Sequence, residues 1–182
     1  MAEKIALEIV TPKGRALSAS VDEVTAPSVQ GEFGMLPGHL PMLAALRTGI
    51  ITYREGSESK RCAIGTGFAE AGPERLVILT DEYTERDRID PVIVRKELAE
   101  VQEQLHKLEG VPIAAADARG ADAAASEARA QRDVLIGREN WLAVQLELYG
   151  DPPAATQRPY EQFGPLPPPP EDEVPQPSDE TK

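Results

Sequence analysis

The sequence predicts a mixed fold, β then α: an N-terminal antiparallel β-sandwich, a C-terminal two-helix hairpin and a disordered Pro-rich acidic tail. Three observations carry this expectation. Short β-like runs recur between turn residues from Lys4 to Thr80, the apolar period changes from two towards three and a half at Asp90, and the composition shifts abruptly after Gly150. The boundaries that follow are 1–86 for the sandwich, 87–150 for the hairpin and 151–182 for the tail.

Strands are expected over 5–10, 21–26, 42–46, 50–54, 61–64, 68–71 and 76–80. In the first run Ile5, Leu7 and Ile9 share one face, while Ala6, Glu8 and Val10 share the other, because side chains alternate along a strand. Residues 54–59 read as a hairpin tip and 72–74 as a second turn. The dense charge run over 81–88 reads as a solvated linker. Asp90 is then a helix N-cap with Pro91 at the first helical position, where a missing N–H costs nothing. Val94, Leu98, Val101, Leu105 and Leu108 draw one narrow apolar seam along that helix.

Gly110-Val111-Pro112 ends the first helix, since glycine caps a helix and proline cannot continue its hydrogen-bond ladder. A returning helix is expected after Ala121, alanine-rich to Ala130 and bulkier from Val134 to Tyr149, with Ala128, Leu135, Leu142 and Tyr149 repeating at seven. Beyond Gly150 the chain turns to proline, acidic and small polar residues, including four consecutive prolines, Pro167 to Pro170. Such a segment cannot bury enough apolar surface to offset its ordering entropy, so a partly polyproline II extension is expected.

The 182 residues, 41% hydrophobic, suffice for a modest core, and with 4% aromatic content that core must rest on Val, Ile, Leu and Ala. A formal net charge of −12 opposes non-specific binding to nucleic acid or anionic lipid. The lone Cys62 excludes an internal disulfide framework and reads as core filler. The N-terminus lacks the pattern of a signal peptide, and no apolar run approaches the ~20 residues needed to span a bilayer. Titratable groups do not converge: the only histidines are His39, in a Pro/Gly segment, and His106, on a helix. Gly65-Thr66-Gly67 lacks the third glycine of a dinucleotide fingerprint, so those glycines are expected to serve a tight turn or bulge. No catalytic residue, metal ligand or cofactor is assigned.

The stretch from Gly31 to Pro41 has an unusual backbone prescription. Gly31, Gly34 and Gly38 allow positive φ or close approach, while Pro37 and Pro41 fix φ and push Leu36 and Leu40 towards extended conformations. It reads as a rigid loop suited to docking, and Glu32, Phe33, Gly34, Met35, Pro37, Gly38 and His39 are its candidate partner contacts. Together with Val10-Thr11-Pro12-Lys13-Gly14, Val21-Asp22-Glu23-Val24 and Gly65-Thr66-Gly67-Phe68-Ala69-Glu70, this segment resembles the epsilon subunit of bacterial F-type ATP synthase. The resemblance covers roughly the first half of the chain by motif and the helical part by pattern. The tail is a departure from the family.

The resemblance implies a non-catalytic rotor subunit, peripheral to the cytoplasmic side of the bacterial inner membrane, whose sandwich joins the gamma subunit to the c-ring. It also implies a hairpin that extends towards the alpha/beta head and obstructs ATP hydrolysis, with Arg129, Arg132 and Arg138 as candidate contacts. Some family members bind ATP on the hairpin through Ile/Leu-Asp, an Arg three positions after the Asp and an Ala at the fourth. Here Ile89-Asp90 agrees, but Ile93 and Val94 stand at the other two places, so ATP binding is expected to be weak or absent. The competing readings are a nucleotide-sensing module and a free adaptor whose Pro-rich tail recruits aromatic-lined grooves.

Overall fold

The computed structural model describes residues 4–109 and 123–153. The expected helix terminator at 110–112, the start of the alanine-rich segment and the tail from 154 onwards lie outside the described residues. Ten strands form one sheet in the order β10-β7-β6-β3-β5-β8-β9-β1-β2, with β4 pairing β3 alone. They are β1 Ile5–Thr11, β2 Gly14–Val21, β3 Glu23–Ser28, β4 Gly31–Met35, β5 Met42–Leu46, β6 Gly49–Glu55, β7 Glu58–Ile64, β8 Gly67–Ala71, β9 Arg75–Thr80 and β10 Tyr83–Glu85. A 3-10 turn, Arg86–Arg88, leads to α1, Pro91–Glu109, and α2, Ala123–Tyr149. The β-then-α architecture is the one the sequence predicts.

Three strands were not predicted. β2 pairs with β1, β10 pairs with β7, and β4 pairs with β3 from Val24↔Met35 to Ser28↔Gly31. The first half of the Gly31–Pro41 segment is therefore a strand rather than a loop, and part of the charge run over 81–88 is an edge strand rather than a linker. β3 also begins two residues later than expected, because Val21 completes β2. One pairing departs from the antiparallel rule: β1 runs parallel to β9, from Ala6↔Arg75 to Val10↔Leu79.

The sheet rolls around one core in which Ile5, Leu7, Ile9, Leu76 and Ile78 are fully buried, so alternating residues of β1 and β9 point inwards as expected. β3 joins the two halves of the roll: Thr25 pairs with Thr52 of β6, and Ser28 pairs with Leu46 of β5.

A second core lies between the hairpin and the outer face of β6 and β7. Ile50 and Ala63, paired across those strands, meet Val94, Leu98, Val101 and Leu105 of α1 and Ile136, Trp141, Leu142 and Leu146 of α2. The α1 seam is thus buried from Val94 to Leu105, with Leu108 half-buried, and Asp90 caps the helix, its Oδ1 accepting from the Val92 and Ile93 amides at 3.0 and 3.3 Å. The seven-residue repeat of α2 is only partly realised. Leu142 is buried, Ala128 and Leu135 are half-buried and Tyr149 is exposed, whereas Trp141, Ala143, Val144 and Leu148 are also buried. The last turns of α2 are enclosed on most sides because α1 covers one flank and the sheet the other.

Candidate interaction surface

Leu36 to His39 close a tight turn in which the His39 amide donates to the Leu36 carbonyl at 3.2 Å. Pro37 holds the second position, and Gly38, at φ +83°, holds the third, where a side chain would be strained. The Gly38 amide donates to the Pro73 carbonyl at 2.8 Å, which ties this turn to the one between β8 and β9. His39 is half-buried, with Nδ1 2.7 Å from the Leu40 carbonyl. A pinned turn leaves Leu36 and Leu40 standing in solvent, 57% and 79% exposed.

The other candidates in this segment fall in β4. Glu32 and Gly34 are exposed, Phe33 is half-buried against the core, and Met35, at 1% exposure, is core. Glu32 opens onto a cleft of about 430 Å³ that also includes Thr25, Arg47 and Thr52 and reaches Val144 and Glu147 of α2. The segment therefore divides: its strand half packs inwards and towards the hairpin side, and its turn half presents apolar side chains at the β8–β9 end.

The strongest surface feature was not singled out in the sequence. Register places Leu43 beside Glu70 and Val77, and Ala45 beside Phe68, Leu79 and Val10, so all of these side chains lie on the outer face of β5, β8, β9 and β1. Leu43, Phe68 and Leu79 are 74%, 56% and 54% exposed, and no described element covers them. Clustered large apolar side chains on one face mark an interaction surface, unlike singly scattered ones. The glycine signature lies at the start of β8, one end of this face. A Cβ on Gly67 would stand 1.9 Å from the Leu79 carbonyl oxygen, and one on Gly65 would stand 2.0 Å from Asp81 Oδ1. Gly67 thus stands as a regularly paired strand residue of β8 that allows close approach of β9, rather than in the tight turn or bulge expected, and Gly65 leaves room for the Asp81 side chain.

Of the hairpin arginines, Arg129 is exposed, Arg132 is half-buried and Arg138 is engaged with Glu97 of α1 at 2.6 Å. Gln102 Nε2 donates to the buried Glu139 at 3.1 Å, one turn further along the same helix pair.

The buried titratable groups are arranged for packing. Burial pushes the Cys62 thiol up to about 12, helped by the nearby Glu85 carboxylate, so the thiol stays protonated and poorly nucleophilic at neutral pH. Burial likewise raises Tyr53 to about 12 and raises Tyr83, whose hydroxyl donates to Glu85 at 2.8 Å. Among the described residues no group of His, Cys, Asp or Glu has the clustering of a metal site, and no helix is long and apolar enough to cross a membrane.

The family model for the ATP synthase Delta/Epsilon chain beta-sandwich domain matches residues 4–86. An ATP synthase epsilon chain of Syntrophobacter fumaroxidans is 42% identical over 112 residues, covering 58% of this chain and 84% of that protein. ATP synthase epsilon chain 2 of Syntrophotalea carbinolica is 38% identical over 108 residues, covering 59% and 78%. Among solved structures, a chain of the Euglena gracilis mitochondrial ATP synthase, in a complex of OSCP, F1 and c-ring, shares the fold with a TM-score of 0.58 at 21% identity, over 80% of this chain and 83% of that one. A rolled sheet with an exposed apolar face and a docked two-helix hairpin is thus the form taken here by a member of the ATP synthase epsilon-chain family.

Proposed function

We propose that this chain is a non-catalytic rotor subunit that joins the gamma subunit to the c-ring of a proton-driven ATP synthase. It would be held on the cytoplasmic side of the bacterial inner membrane by those neighbours rather than by lipid. The observation that carries this reading is the uncovered apolar face of Leu43, Phe68 and Leu79, together with the turn that holds out Leu36 and Leu40. A torque-bearing joint needs a stiff body and an apolar contact area. The rolled sheet, with β3 hydrogen-bonded into both halves, supplies the first, and the exposed face supplies the second.

In this reading residues 1–86 are the joint, 87–150 are a hairpin that alternates between docking on β6–β7 and extending into the alpha/beta head, and 151–182 are an appended tail. In the extended state the hairpin would inhibit ATP hydrolysis, with Arg129, Arg132 and Arg138 facing acidic segments of the head. The burial gradient along α2 supports a releasable hairpin: among its described side chains, from Ser126 onwards, fully buried apolar ones begin at Ile136, with Leu135 half-buried against the same core, so residues 126–134 contribute little to docking. Moving such a switch from mostly docked to mostly extended requires about 5.5 kcal/mol of differential binding. Several arginine contacts and the reburial of Leu142 and Leu146 reach that scale.

The test is co-purification from detergent-solubilised membranes, in which a tagged chain brings down the gamma subunit and the c-ring. Recovery of neither overturns the rotor assignment. Truncation before Ala121 leaves assembly and ATP synthesis intact while raising hydrolysis, and unchanged hydrolysis at every nucleotide condition counts against the switch.

A further inference from the structure

The end of α2 is held in a way that its apolar contacts do not require. Gly150, at φ +105°, closes the helix, its amide donating to the Leu146 carbonyl at 3.1 Å and the Asp151 amide donating to the same oxygen at 2.9 Å. This cap leaves the Tyr149 carbonyl unpaired within the helix and turns Asp151 back towards α1. Two arginines from different elements meet these residues. Arg86, in the 3-10 turn that follows the sheet, donates from Nε to the Tyr149 carbonyl at 3.3 Å, and its guanidinium lies 5.7 Å from the centre of the Tyr149 ring. Arg95 of α1 binds Asp151 Oδ2 through Nε at 2.7 Å and through Nη2.

Arg138–Glu97 and Gln102–Glu139 lie further back along the same helix pair. The contacts differ in what breaks them. If the hairpin swung away as one body it would lose the Arg86 contact and keep the other three. If α2 separated from α1 while staying on the sheet it would lose those three and keep the Arg86 contact.

We propose that Arg86 and Arg95 are positioning residues that clamp Tyr149 to Asp151 and make the C-terminal end of α2 the release point of the hairpin. The clamp deepens the switching role proposed above, and only its consequence for hydrolysis rests on that reading. The negative end of the helix dipole and the Asp151 carboxylate both attract the guanidinium groups, so the clamp acts just beyond Leu148, the last buried apolar side chain of α2. Arg138 is held by Glu97 for as long as α1 and α2 stay paired, and it meets another acidic partner only once the two helices part.

Native-state hydrogen exchange on the full-length isolated chain tests the clamp without any partner, because exchange rates of α2 amides scale with the population of its opened form. Arg95→Asp raises exchange at residues 141–148 by about two- to fivefold, the size expected when an exposed ion pair is lost. Arg86→Gln has a similar effect, and amides of β1 and β9 are unchanged in both. The charge swap Arg95→Asp with Asp151→Arg returns α2 exchange to the parent rate. Unchanged α2 exchange in both single variants, a swap that fails to restore it, or a parallel rise in β1 and β9 overturns the proposal. A separate measurement of hydrolysis by the assembled complex tests the switch: a clamp confirmed by exchange but without effect on hydrolysis refutes the switching role alone.

Discussion

Replacing Phe68 with Ser tests the apolar face directly, because Phe68 stands at its centre, beside Ala45 and Leu79 across β5, β8 and β9. Phe68 is 56% exposed in the isolated chain, so a partner seated on the face would bury about half of the ~200 Å² that an aromatic side chain offers. At about 25 cal/mol per Å², the lost ~100 Å² amounts to about 2.5 kcal/mol, or a binding constant about 70-fold weaker. The fold itself loses little, since the ring makes few core contacts and exposed substitutions shift stability by about 0.5 kcal/mol. The assay is a titration of the variant onto ATP synthase depleted of this subunit, with thermal unfolding as the control for folding. Leu79→Ser weakens binding in the same direction, and the double variant loses less than the sum because the two side chains share one contact. Unimpaired binding of Phe68→Ser, with normal unfolding, refutes the assignment of this face as the docking surface.

Gly67→Ala is expected to cost about 1–3 kcal/mol, since the new Cβ meets backbone atoms of Leu79 and Thr80 that cannot yield as a side chain could; denaturant unfolding reads the loss. Asp22 accepts from the Gly56 amide at 2.5 Å and sits near Lys4 and Arg54, and together these hold its carboxyl below the ordinary carboxylate range despite an opposing desolvation effect. The sign follows from linkage: with a lowered folded pKa, its stabilising contribution is complete above the unfolded value, about 3.9, and is lost as pH falls through the folded value. Carboxyl titration by NMR checks the direction, and an Asp22 midpoint at or above the ordinary aspartate value of about 3.9 contradicts it. ATP is expected not to bind at micromolar concentration, because Ile93 and Val94 offer no cation and Arg95 is engaged by Asp151. Calorimetric titration showing a micromolar dissociation constant would reverse that expectation.

The features legible in the sequence are those with local causes. Asp90 and Pro91 start α1 through a cap that operates within three residues, and the α1 seam needs only its own spacing. The missed strands lack such a cause. β2 points only Leu17, Ala19 and Val21 towards the core between serines and an arginine, β4 is built on glycines, and β10 sits inside a charge run. Each is a strand because a neighbour supplies its hydrogen bonds. The parallel pairing of β1 with β9 joins segments about seventy residues apart, which no local pattern encodes.

The exposed face was hidden for a related reason. The β9 run Leu76 to Leu79 is apolar on both faces, and periodicity alone cannot say which face the core takes. An apolar second face on a sheet of this kind is nonetheless a signal that something else must cover it. The engagement of Arg138 by Glu97 was likewise invisible, because the partner lies on the other helix.

Trp141 is the only tryptophan in the chain, and it is 7% exposed in the core between the hairpin and the sheet. Its indole is therefore a built-in optical probe: ultraviolet emission from the purified subunit arises at the joint that would part in the proposed release of α2. A red-shifted, quencher-accessible signal would report a lifted form without attaching a dye or introducing a cysteine.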